Sequence, residues 1–391
     1  MKSVYMDHQA GTPIDPKVIE AMGPYLNQVY GNPSSTHSTG QLAKEAVEKS
    51  RETIARLIGA EKPEEIVFTS GGTESNNLAL EGYAQRNRER GNHIIVSSIE
   101  HLSILNTCKH LAKIGFEITY LPVDKTGLIS PELLRKELTD RTILVSIMTA
   151  NGEVGTIEPI HEIGQITEER GVAFHTDVVA ATGKIPINVK SGNIAMASLS
   201  SNDMYGPKGV GALYVRTGTR ISPIILGGGQ ERGLRSGSEN VASIVGMAKA
   251  AEIASSEMSS LSKQLIGLRD RMRDGILDTI PSSYLNGHPT LRLPDNLNVR
   301  FSYIEGESLV LSLDMEGISA SSGSACTSKT LEPSHVLLAL GLAHEEAHGS
   351  LLLSLGRGNT DQDVNHLLSV LPGIVQRLRK MSPLTPKNMV L

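Results

Sequence analysis

The chain has 391 residues, more than one small core can use, so two domains are the natural expectation. It is 39% hydrophobic and 20% charged with a formal net charge of −5, which argues against nucleic acid or an anionic membrane as main partner. Its two cysteines, Cys108 and Cys326, cannot build a disulfide framework, no apolar signal segment is visible, and no apolar run reaches membrane-spanning length, so a cytoplasmic setting is expected.

The expected elements run as follows. Leu42, Ala46, Val47, Ile54, Leu57 and Ile58 recur at helical spacing, which predicts a helix over 41–58 stopped by Gly59. Short apolar runs then predict strands at 66–69, 94–96, 118–121, 143–147, 172–174, 196–199 and 211–215. Helical or turn-rich stretches separate most of them, the pattern of a mainly parallel sheet covered on both faces. A polar helix is expected at about 255–279. A smaller α/β set follows: strand 297–301, helix 307–315, the segment holding Cys326, helix 334–340, strand 351–355 and helix 361–380. The expected division is a large domain over 13–255 and a small one formed by 1–12 and 256–391.

Several stretches carry candidate chemistry. Thr69-Ser70-Gly71-Gly72-Thr73-Glu74-Ser75 follows a strand and opens a helix, and such a turn suits a phosphate. Without further support it is equally a capped helix with a glycine turn. Glu100-His101 follows a strand and could stack an imidazole on a flat cofactor or move protons. Asn151, in Ala150-Asn151-Gly152-Glu153, offers an amide or simply makes a turn. Asp177 ends a strand, where open α/β sheets bind ligands, and could pair with a cationic ring nitrogen or cap a helix. Arg357 has the fork that suits an amino acid carboxylate, or a surface ion pair. Cys326 lies among small residues, Ser321-Ser322-Gly323-Ser324-Ala325-Cys326-Thr327-Ser328, with nothing bulky to bury its sulfur. Cys108 shares a helix face with Leu105, Leu111 and Ala112 and reads as a core cysteine.

Together these residues resemble the cysteine desulfurases of the NifS/IscS type, class V pyridoxal-phosphate-dependent enzymes of the aspartate aminotransferase fold. The matching stretches include YMDHQAGTPIDP, GNPSSTH, VFTSGGTESNNLA, YGPKGVGALYVR, GGGQERGLRSG, SSGSACTS and SLGRGNT. The resemblance implies an α/β, fold type I protein: a large domain with a mainly parallel sheet and a smaller α/β C-terminal domain. It implies that Gly72, Thr73 and Ser200, with the adjoining Ser201 and Asn202, lie at the phosphate of pyridoxal 5'-phosphate. His101 would stack on the ring, Asn151 approach its hydroxyl and Asp177 pair with its nitrogen. Ser238 matches a phosphate-binding threonine supplied by the other subunit, implying a homodimer. Asn32 and Arg357 would bind the carboxylate of L-cysteine. Cys326 matches the nucleophile that takes sulfur as a persulfide and passes it to an IscU-like iron–sulfur scaffold, giving a heterotetramer.

Three positions depart from that family. Where it carries His-Lys before Tyr-Gly-Pro-Lys-Gly, this chain has Asn202-Asp203, so the Schiff-base lysine position holds a carboxylate. Ala180 stands where the family has a glutamine facing the cofactor. Lys208 matches a separate family lysine. The expected consequence is a non-covalently held cofactor and altered or impaired catalysis, since an aspartate is neither anchor nor amine. The alternative is a non-catalytic homologue whose Cys326 accepts sulfur made elsewhere, or ligates a [2Fe-2S] cluster shared with the scaffold. A pyridoxal phosphate enzyme acting on a different amino acid is the third reading.

Overall fold

The computed structural model describes residues 3–322 and 333–386. Cys326 lies outside them. Seven strands form the main sheet: β2 (Ile66–Thr69), β3 (His93–Ser97), β4 (Glu117–Leu121), β5 (Thr142–Ser146), β6 (Ala173–Asp177), β7 (Met196–Ser200) and β8 (Gly211–Val215). Their order across the sheet is β2-β8-β7-β6-β5-β3-β4. Only β8 runs against its neighbours. The other six point the same way, so the chain leaves them all at one edge of the sheet. β2, β3, β5 and β8 are buried at every position, as strands covered by helices on both faces must be. This is the mainly parallel, helix-covered α/β sheet that the sequence led us to expect.

A second, three-stranded sheet has the order β12-β10-β9, formed by β9 (Ser283–Asn286), β10 (Asn296–Phe301) and β12 (Ser350–Ser354). The N-terminal strand β1 (Val4–Tyr5) pairs in parallel with β11 (Ile318–Ser319) beside it. Val4 and Met6 share one apolar cluster with Leu268, Met272, Val299, Leu351 and Leu371. Asp7 bridges to Ser354, so the chain start is stitched to this second sheet.

The helix expected at 255–279 is the second half of a 39-residue helix, Val241–Thr279. Its first half buries Val241, Ile244, Met247, Ala250, Ala251, Ile253 and Ala254 among others. A helix that is apolar on most sides has no polar stripe, so periodicity reveals only the amphipathic half. The first half packs on the main sheet side and the second half on the smaller sheet, so one rigid rod spans both cores.

Close backbone approach fixes how helices seat on the main sheet. Gly164, in the helix Ile160–Glu169, has its missing Cβ position against the carbonyl oxygen of Gly192. Overpacking at such a contact costs about 1–3 kcal/mol. Gly164→Ala is therefore expected to lower unfolding free energy by about that amount, measured by urea denaturation; an unchanged midpoint would refute the contact.

Candidate active site

The residues singled out from the sequence lie at the edge where the six co-directional strands end. β2 leads into Gly71 and Gly72, β3 into Glu100 and His101, β5 into Asn151, and β6 and β7 end on Asp177 and Ser200. Residues 72–87 then run as a helix interrupted by one π turn at Leu78–Gly82. Gly71 holds φ 149°, a conformation that favours glycine, and a side chain there would enter open space. A Cβ on Gly72 would lie 2.9 Å from Val179 Cγ2 and 3.8 Å from Ser200 Cβ. The turn is thus pressed against the ends of β6 and β7.

A hydrogen-bonded chain crosses the site. His101 Nδ1 lies 2.8 Å from Ser103 Oγ and also accepts the Ser103 N–H. Asn76 Nδ2 donates to Ser103 Oγ at 2.8 Å and to Asp177 Oδ2 at 2.7 Å. Because Nδ1 accepts, the imidazole proton sits on Nε2. The Val179 N–H donates to Asp177 Oδ1 at 2.9 Å. Each carboxylate oxygen therefore keeps a free lone pair. Burial pushes the Asp177 carboxyl up, while the Asn76 and Val179 hydrogen bonds and the nearby His101 pull it back down.

Asp203 faces the same space. Its carboxyl is pushed up to about 6 by burial and by the like charge of Asp177, opposed by Lys184 and by a hydrogen bond with Ser200. Lys184 Nζ pairs with Asp295 Oδ2 at 2.7 Å. Asp295 and Asp203 together hold its amine above the usual lysine range against its desolvation. Around this pair, one amine serves two carboxylates, Asp295 and Asp203, and Asp177 adds a like charge to Asp203. A small cavity touches His8, Lys184, Asp203, Tyr205, Asp295 and Arg357.

Residues 4–367 match the protein-family model for class-V aminotransferases. The cysteine desulfurase IscS 1 of Archaeoglobus fulgidus is 58% identical over 380 residues, 97% of this chain and 99% of that one. The cysteine desulfurase IscS of Methanosarcina thermophila is 56% identical over 99% of this chain and 95% of its own. Among solved structures, a NifS-like protein superposes with a TM-score of 0.90 at 38% identity, covering 96% of this chain and all (100%) of that one. This chain belongs to the class-V aminotransferase family, among its cysteine desulfurases. That family depends on pyridoxal phosphate, and the turn, the buried carboxylate and the imidazole fit such a group. The turn offers glycine backbone with open space, Asp177 retains acceptor capacity for a ring N–H, and His101 is exposed at the same edge.

The structure brings Gly72, Asp177, Ser200 and Asp203 to one place beside His101, through the contacts above. Thr73 lies in a cleft with His101. Asn151 is 2% exposed and already committed: Oδ1 accepts from Glu153 and Val154, and Nδ2 donates to Ile99 O. Only its weak contact with Met148 Sδ is free to exchange for a ligand. Ser201 Oγ and Asn202 Oδ1 are buried without partners among the described residues. Ala180 packs with Ala150, Ala181 and Leu293. Lys208 lies 3.4 Å from the Cβ position of Gly11 and lines a cleft of about 800 Å³ with Tyr205 and Arg357. Arg357 pairs with Asp15 at 2.8 Å and Glu257 at 3.1 Å and stacks over Tyr205. Asn32 is exposed and accepts from Ser34; Ser238 is exposed. No described hydrogen bond or ion pair joins either one to the pocket. Cys108 is fully buried and its thiol is pushed up to about 12, as a core cysteine requires.

Sequence reasoning missed Asn76, Ser103, Lys184 and Asp295. Asn76 had a signal: it falls four residues after Gly72, on the same helix face. Lys184 and Asp295 are 111 positions apart (295 − 184) and nothing local pairs them.

Because the folded-state value of Asp203 lies above the ordinary 3.8, ionising it costs stability as pH rises from 3.8 to about 6. Asp203→Asn is therefore expected to be more stable than wild type near neutral pH, by up to about 3 kcal/mol, with the advantage fading toward about pH 4. Urea denaturation at both pH values checks this; an advantage independent of pH would refute it.

Proposed function

We propose that this protein is a cysteine desulfurase of iron–sulfur cluster assembly with slowed chemistry. The observation that carries this reading is the Asp203 carboxylate, which feels the charge of Asp177 in a pocket that keeps most of the family's residues. By its place before Tyr205-Gly206-Pro207-Lys208-Gly209, position 203 is where the family attaches its cofactor. The like charge of Asp177 on Asp203 supports this, since a lysine at 203 would turn that repulsion into attraction. The cofactor is then held without a covalent bond.

Gly72, Thr73 and Ser200, with Ser201 and Asn202 beside them, would hold its phosphate, and Asp177 its ring nitrogen. Ala180 leaves one polar contact unmade. Bound pyridoxal phosphate supplies an electron sink for the amino acid. His101, tied by Ser103 to Asn76, keeps a proton on Nε2 available for transfer. Arg357 receives the cysteine carboxylate once Asp15 and Glu257 release it, with Asn32 as second contact. The Cys326 thiolate takes the substrate sulfur: the substrate C–S bond breaks, an S–S bond forms, and L-alanine leaves. The persulfide passes to an IscU-like scaffold. The assembly is a homodimer, with Ser238 reaching the partner's phosphate, flanked by scaffolds as a heterotetramer in the cytoplasm. Residues 13–255 form the cofactor-binding domain; 1–12 and 256–391 form the domain carrying Cys326.

The same Asp203 supports a second reading, a non-catalytic homologue whose Cys326 accepts sulfur made elsewhere or ligates a [2Fe-2S] cluster shared with the scaffold.

Incubation with pyridoxal phosphate, L-cysteine and a thiol reductant should yield alanine and sulfide above a cofactor-only control. Absence of product would sink the first reading in favour of the second. Asp203→Lys should raise the rate by about 10²-fold or more, because it restores an amine that moves protons, and should retain cofactor through gel filtration. No gain in either would refute the role given to position 203. For the second reading, Cys326→Ser should shorten the lifetime and change the visible spectrum of a cluster reconstituted with the scaffold; an unchanged spectrum and lifetime would exclude ligation.

A further inference from the structure

β2 is an edge strand, so one side of its backbone has no neighbouring strand to bond among the described residues. Side chains take that place. Arg51 Nη1 and Arg232 Nη2 donate to the carbonyl of Ile66 at 2.8 and 3.0 Å. The N–H of Phe68 donates to Glu231 Oε2 at 2.9 Å, and the N–H of Ser70 to Glu74 Oε2 at 2.8 Å. Residues 66, 68 and 70 turn their backbone groups to the same side, as the two-residue period of a strand dictates.

Each of those carboxylates is matched by an arginine. Arg51 forks onto Glu231 at 2.7 and 2.9 Å, both side chains almost wholly buried. Arg235 forks onto Glu74 at 2.9 and 3.4 Å. Glu231 and Arg232 sit at φ 47° and 58°, left-handed values that residues other than glycine adopt only when surrounding contacts hold them. The segment 231–235 is therefore strapped onto the strand that ends in the Gly71–Thr73 turn.

Glu74 stands next to Thr73. A free carboxylate there would repel an incoming phosphate, and a mobile one would let the turn shift. Held on the Ser70 N–H and neutralised by Arg235, it does neither. We propose that Glu74 and Arg235 are positioning residues for the cofactor phosphate, presenting the Gly72–Thr73 turn in one conformation with no unpaired negative charge beside it. This rests on the phosphate reading of that turn given under the proposed function.

The test uses the full-length protein as wild type, Arg235→Gln, Arg235→Lys, Glu74→Gln and the Glu74→Gln/Arg235→Gln double variant. Pyridoxal phosphate affinity is read by absorbance titration, and inorganic phosphate affinity by the phosphate-dependent rise in melting temperature. Arg235→Gln should weaken both by about tenfold, the loss of one charge-assisted pair. Glu74→Gln and the double variant should stay within about threefold of wild type, because no carboxylate remains to be neutralised. Arg235→Lys, which keeps the charge without the fork, should fall between. A purely structural role would lower the melting temperature of the phosphate-free protein without this rescue. Equal affinities for Arg235→Gln and wild type would overturn the proposal, as would a double variant no better than Arg235→Gln. Should Arg235→Gln not fold, Arg235→Lys decides: affinity equal to wild type for both probes counts against the proposal. If wild type binds phosphate but not pyridoxal phosphate, the cofactor reading alone falls; if it binds neither, both fall.

Discussion

A 2.7 Å hydrogen bond from Asn76 to Asp177 ties the helix that follows β2 to the end of β6. The rest of the site depends on it. Asn76 is 1% exposed and spends both amide hydrogens inside the pocket, one on Asp177 and one on Ser103. Through Ser103 it sets the tautomer of His101, and through Asp177 it orients a carboxylate that keeps lone pairs for a ligand. Three strand ends, those of β2, β3 and β6, are thereby held in one register by a single side chain. Burying such a network favours a unique arrangement when its members are satisfied; both Asn76 amide hydrogens are, while its Oδ1 is buried with no partner among the described residues.

Electrostatics set the second constraint. Asp203 and Asp295 act on Lys184, Asp177 acts on Asp203, and burial disfavours the charged forms of Asp177, Asp203 and Lys184. Lys184 is held by Asp295 from the smaller sheet's side of the molecule, so its charge also bridges the two cores. Arg357 makes a parallel connection, reaching Asp15 and Glu257 from the segment after β12. The junction between the cores is therefore ionic where it meets the pocket. Elsewhere it is mechanical, through the long helix Val241–Thr279 that belongs to both.

Much of this was legible in the chain itself. The strand runs at 66–69, 94–96, 143–147, 196–199 and 211–215 fall inside the observed strands or within a residue of them, because strands buried on both faces are short apolar runs with turn residues at both ends. Cys108 was readable as a core residue from its helical neighbours alone. Gly72, Asp177 and His101 were readable as candidates because each follows or ends such a run. The helix half at 241–254 was not legible, since a segment buried on nearly all sides carries no period to detect. Nor was the state of Arg357: a lone arginine in sequence does not reveal that Asp15, 342 positions earlier, shares its fork.

The sequence by itself determined most of the elements, the family and the identity of position 203, because these depend on local order: which residues follow which, at what spacing. Only the tertiary structure decided what those residues face. That Asp203 feels the charges of Asp177 and Lys184, that Asn76 joins Asp177 to Ser103 and so to His101, and that Arg51 and Arg235 hold the carboxylates along the edge of β2 are relations between distant segments. Charge and hydrogen bonding act over a few ångströms in space, and chain order sets no such distance until the sheet has closed.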